Sequence, residues 1–130
     1  MFLFPISLAS MNDKYILVGQ TPIPCDDPLE WGKAFGTAER RVCLTRVGPY
    51  EVSTVFLGLD HQWGEGPPLL FETMVFRGDN GEAYDYERCS TWLEAEAQHE
   101  AVIARIAQPG DKIEQLYPLP PAQTPDIVQA

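Results

Sequence analysis

Residues 51–77 read EVSTVFLGLDHQWGEGPPLLFETMVFR, and the fold follows from how this stretch alternates. Val52, Thr54 and Phe56 share one side of an extended chain and Ser53, Val55 and Leu57 the other, because successive strand side chains point to opposite faces. Both sides are apolar or small, the pattern of a central strand covered on two faces. Leu70, Glu72, Met74 and Phe76 alternate with Phe71, Thr73 and Val75 in the same way. Between the two strands lies LDHQWGEGPP, a turn-rich loop with the chain's densest group of reactive side chains.

On the N-terminal side, Arg40 to Val47 (RRVCLTRV) predicts a strand with Val42, Leu44 and the stem of Arg46 on one side. Gly48-Pro49 turns it into the next strand as a hairpin. Before it, Asp27-Pro28-Leu29-Glu30 starts a helix: Asp27 caps, Pro28 suits the first position, and Glu30 reaches back as in a capping box. Trp31, Ala34, Phe35 and Ala38 form its apolar face, and Gly32 and Gly36 suggest close approach to a sheet or ligand. Lys14 to Gly19 reads as a short strand, followed by the turn-rich TPIPCDDP.

On the C-terminal side, Gly78-Asp79-Asn80-Gly81 marks a hairpin into Tyr84 to Cys89. Thr91-Trp92-Leu93-Glu94 is a capping-box pattern, and Ala95, His99, Val102, Ile103 and Ile106 trace the inner face of a final helix. Pro109-Gly110 ends it. The rest, with Pro118, Pro120, Pro121 and Pro125, reads as a tail whose DKIEQLY portion docks on the body or a neighbour. Its Leu119-Pro120-Pro121 segment offers a polyproline surface.

These elements predict an α+β fold: a mostly antiparallel sheet of four to five strands with two helices packed on one face. One domain spans residues 13–108, with an N-terminal extension over 1–12 and a Pro-rich tail over 109–130. The free sheet face predicts a homo-oligomer.

At 130 residues the chain is long enough to bury a core without metal or disulfide support. Its net charge of −10 argues against non-specific nucleic-acid binding, which selects clustered Lys and Arg. Cys25, Cys43 and Cys89 sit far apart, in no metal-ligand spacing; an odd count reads as reduced, buried thiols in a cytosolic protein. The opening MFLFPISLAS is too short to span a bilayer and lacks a basic leader, so no membrane partner is expected; Met11 would make a natural start. Neither G-x-S-x-G nor H-E-x-x-H occurs, and GEG lacks a phosphate loop's context, so no catalytic motif or cofactor is implied.

Asp60 and His61 at a strand end, with Glu65 in the loop and Glu72 on the returning strand, have the chemistry to bind a divalent metal or act as acid and base. Adjacent extended residues point apart, so Asp60 and His61 converge only across a turn. The structural alternative is an Asp60 that caps the loop and a His61 that bonds locally. Glu72, a carboxylate among hydrophobes, calls for a cation from Arg41, Arg46, Arg77 or Arg88. Trp63 on the Gly-rich loop either folds back or stacks on a partner, whereas Trp31 and Trp92 at helix starts read as core. His99 reads as a hydrogen-bonded core histidine.

The stretches KYILVGQTPIPCDDPLEW, VSTVFLGLDH, GPPLLFETMVF and ERCSTWLEAEAQHEAVIARI resemble a family of small uncharacterised proteins of tailed phages and prophages. The likeness spans Lys14 to Ile106; family members usually carry an aromatic where this chain has Cys89, which argues against a catalytic cysteine. What the resemblance implies is an accessory phage protein in bacterial cytoplasm, with no activity to carry over. In that setting the sequence predicts a non-enzymatic binding module that sequesters a nucleotide-type defence signal or occludes a host protein. For a nucleotide, Trp31 or Trp63 would stack and Arg41, Arg46 or Arg88 would meet phosphate. The alternatives are a metal-assisted hydrolase using Asp60, His61 and Glu72, or a virion assembly protein.

Overall fold

The computed structural model of the chain describes residues 13–37 and 39–118. The expected extension over 1–12, Ala38, and the Leu119-Pro120-Pro121 segment lie outside the described residues. In chain order the elements are β1 (Tyr15–Val18), β2 (Thr21–Pro24), α1 (Pro28–Thr37), β3 (Arg41–Val47), β4 (Tyr50–Phe56), β5 (Phe71–Arg77), β6 (Ala83–Cys89), α2 (Trp92–Ile106) and β7 (Ile113–Tyr117). Five strands form one antiparallel sheet in the order β6-β5-β4-β3-β7, and β1 and β2 pair separately. The architecture is α+β, with helices packed against the sheet, and β4 is the central strand.

α2 lies across β3, β4, β5 and β6 on one face. Its start is fixed by the capping box: Thr91 Oγ1 accepts from Glu94 N at 3.1 Å, and Glu94 Oε1 accepts from Thr91 N at 3.2 Å. Under it, Phe56, Phe71, Leu70, Val42 and Ala95 form one apolar cluster, and Val47, Val52, Val75, Val102 and Ile103 another. Full burial of side chains such as Leu70 and Phe71 stabilises the fold by roughly 1.5–3 kcal/mol each.

A polar layer separates the clusters. His99, fully buried, has Nδ1 2.7 Å from Thr54 Oγ1 and Nε2 2.9 Å from Thr45 Oγ1. Thr54 continues to Thr73 at 2.7 Å, and Gln98 Nε2 donates to Thr73 Oγ1 at 2.9 Å. Both ring nitrogens are partnered, so the imidazole is buried without an orphaned polar group.

α1 packs against β1 and over the end of β4. Asp27 caps it, accepting from Leu29 N at 3.0 Å. The close approach to a sheet expected at Gly32 and Gly36 is absent among the described residues, for a Cβ at either would meet open space. It occurs instead at Gly58, where φ is +79° and a Cβ would stand 2.5 Å from the Phe35 ring.

Three further expectations change. Thr21–Pro24, read as turn, is strand β2; its prolines fit because β1 is its only sheet partner among the described residues. Ile113–Tyr117 adds to β3 as an edge strand, so the fold runs past residue 108 and DKIEQLY docks on the chain's own sheet. Val42 does not share a side with Leu44: a bulge between Arg41 and Cys43 turns Val42 into the core.

Candidate functional site

The loop between β4 and β5 is braced from within. Asp60 Oδ1 accepts from Gln62 N at 2.8 Å and from Leu69 N at 3.0 Å, closing both arms on one carboxylate. His61 Nδ1 donates to Leu59 O at 2.9 Å, and Gln62 Nε2 donates to Pro67 O at 3.2 Å. Asp60 N donates to Asp13 O at 2.9 Å, which ties the loop to the chain before β1. On this frame Trp63 stands 91% exposed. Of the two sequence readings for Asp60 and His61, the geometry is that of the loop cap and the local bond.

Two other apolar side chains stand out at the same end of the sheet. Leu29, 83% exposed, is in the first turn of α1, whose Trp31 Nε1 donates to Gly58 O at 3.1 Å just after β4. Leu93, 76% exposed, opens α2 beside Trp92, which meets Phe71 edge-on at the start of β5. Sequence reasoning missed both leucines. The available signal was that each falls outside the apolar stripe of its own helix. Trp31 stacks on Phe35 with ring centroids 4.8 Å apart.

The remaining candidates, Arg41, Arg46, Glu72 and Arg88, lie on the sheet face opposite α2, as strand alternation and register require. Glu72 faces Arg88 across the strands, with Arg88 Nε 3.0 Å from Glu72 Oε2, which is the partner its position called for. Arg88 also covers the Tyr86 ring at 4.9 Å. Arg46 is held between Glu51 at 3.2 Å and Glu114 at 3.7 Å. Arg41 lies 5.7 Å from the Tyr117 ring and makes no salt bridge among the described residues. The eight candidates therefore divide in two: these four on the sheet face, and Trp31, Asp60, His61 and Trp63 at its end.

Among the described residues no three His, Cys, Asp or Glu side chains are placed to hold a metal ion. Asp60, His61 and Glu72 thus form no ligand set, since Asp60 is committed to the loop and Glu72 to Arg88. A small, mostly apolar pocket of about 20 Å³, partly open to solvent, lies between β1, α1 and Phe56, room for a water-sized guest only. Wider clefts, of about 250 Å³ beside Arg40 and Arg41 and about 280 Å³ beside Tyr50 and Tyr84, are open to solvent.

Two of the thiols are held above their ordinary range. Burial pushes Cys89 up to about 11, with Glu94 and Glu87 adding to it. Cys43 is raised as well, by burial first and then by Glu100 and Glu96. Burial lowers His99 to about 4, which keeps it neutral. No described helix is long and apolar enough to cross a membrane. Compared with known proteins, the chain matches no protein-family model, no curated protein and no solved structure.

Proposed function

We propose that the protein is a phage or prophage accessory module without catalytic activity, which works in the bacterial cytoplasm by occluding a host protein. The observation that carries this reading is that Leu29, Trp63 and Leu93, the three most exposed large apolar side chains among the described residues, all stand at one end of the sheet on braced elements. An exposed Trp on a pre-shaped loop is the chemistry of an interface anchor, because little conformational freedom is lost when it docks. Asp26, Asp27, Glu30 and Glu65 surround these residues in sequence, so the partner surface is an apolar pocket rimmed by Lys and Arg.

Sequestration of a nucleotide is the weaker form of the same reading. Two of the three arginines suggested for phosphate are already neutralised by glutamates, and Trp31 is engaged with Phe35 and Gly58.

The test is capture of host proteins by full-length protein, repeated with Trp63→Ala. A host protein retained by the natural chain and lost with Trp63→Ala supports the reading. Capture that is indifferent to Trp63, Leu29 and Leu93 sinks it.

A further inference from the structure

The sheet face opposite α2 has a pattern of its own. Across it run three rows fixed by the strand register. The middle row is Tyr86, Met74, Ser53, Leu44 and Tyr117: no charge, and a small residue at the centre of the central strand. On one side of it lies Arg88–Glu72–Val55–Arg41, and on the other Phe76–Glu51–Arg46–Glu114. The face holds three of the chain's nine Lys and Arg and three of its nineteen Asp and Glu, so it is neutral while the whole net charge of −10 lies elsewhere. On an acidic protein, a neutral face with an uncharged stripe is where a second copy can approach without repulsion.

We infer that two copies pack face to face through this surface, about a two-fold axis that runs along β4 between the two Ser53 residues. The sheet order is symmetric about β4, so this axis sets β5 of one copy over β3 of the other and β6 over β7. Met74 then lies on Leu44 and Tyr86 on Tyr117, a middle layer of the sandwich type. Phe76 meets Arg46. Glu72 meets Arg41, the one arginine of this face that makes no salt bridge among the described residues, and the contact is made twice by symmetry. Glu51 is the charged group that meets its like, and its own Arg46 at 3.2 Å neutralises it. An axis parallel to the strands also leaves both Trp63 loops at the same end of the dimer. On the recognition reading above, the dimer is therefore bivalent toward one side.

The test is the mass of the full chain in solution, by light scattering on a sizing column. The natural protein should run at twice the 14.6 kDa chain mass. Arg41→Glu, at an exposed residue, should stay folded by circular dichroism and raise the dimer dissociation constant by about tenfold or more. Glu72→Lys alone should do the same, and an equal mixture of the two variants should restore a dimer, because each opposed pair then again carries opposite charges. A monomeric natural protein at micromolar concentration overturns the inference. So does a dimer indifferent to Arg41→Glu, or a mixture that stays monomeric while both variants are folded. A dimer of the expected behaviour that captures no host protein leaves this inference standing and removes the recognition reading instead.

Discussion

Thr54 Oγ1 stands 2.7 Å from His99 Nδ1, joining the central strand to the long helix through the middle of the core. Burial holds the imidazole near pKa 4 in the fold, against 6.5 in the unfolded chain. The unfolded state therefore takes up its proton first as pH falls. The stabilisation from neutral His99 is complete above pH 6.5 and is lost progressively between there and about pH 4, in total about 3 kcal/mol. Denaturant unfolding at a series of pH values should show this slope, and His99→Leu should remove it. That variant should also be less stable at neutral pH by about 1–3 kcal/mol, since Thr45 and Thr54 lose their shared partner.

Glycine to alanine should change sign along the chain. At Gly58, with φ +79° and the Phe35 ring where a Cβ would go, it should destabilise by about 2 kcal/mol or more. At Gly32 and Gly36, helical and with open space around them, the same change should stabilise by about 0.5–1 kcal/mol each. Thermal unfolding of the three single variants decides it; equal effects would contradict the packing of α1.

Glu72 and Arg88 should be coupled. The Glu72 side chain is only 12% exposed, so Arg88→Ala leaves a carboxylate short of water and should cost about 1–3 kcal/mol. A double-mutant cycle with Glu72→Gln should return a favourable coupling that weakens little with added salt, whereas the exposed Arg77–Asp79 pair should give nearly none.

Cys43 and Cys89 should react slowly with a disulfide reagent at neutral pH, because both thiols are held above their ordinary range. Rates should approach those of a free thiol only once the chain is unfolded by denaturant. Fast reaction in the native state would mean that the helix start near Cys89 opens readily.

What the sequence discloses follows from how local the determining forces are. β3 to β6 and both helices are legible because alternation, the Gly-Pro and Asp-Asn-Gly turns, and the two caps are written in neighbouring residues. β7 is hard to read because an edge strand gains its support from β3, nearly seventy residues earlier, and its own residues are largely exposed. β2 is masked by two prolines, which a lone ribbon tolerates. The partner of Glu72 can be narrowed to four arginines, but choosing Arg88 needs the register between β5 and β6. The threonine layer is the same case: Thr45, Thr54 and Thr73 are ordinary strand residues until three strands and a helix bring them to His99.

The pairing of Ile113–Tyr117 with β3 also bears on how the chain is made. During synthesis the outer edge of β3 stays open until residues beyond the long helix have left the ribosome, so the sheet is completed by nearly the last described residues to emerge. A nascent or nicked chain that stops at residue 108 keeps both helices yet offers β3 as an unpaired strand edge, ready to recruit other chains. Proteolysis between Pro109 and Lys112 would thus be felt first as aggregation, before any loss of helix.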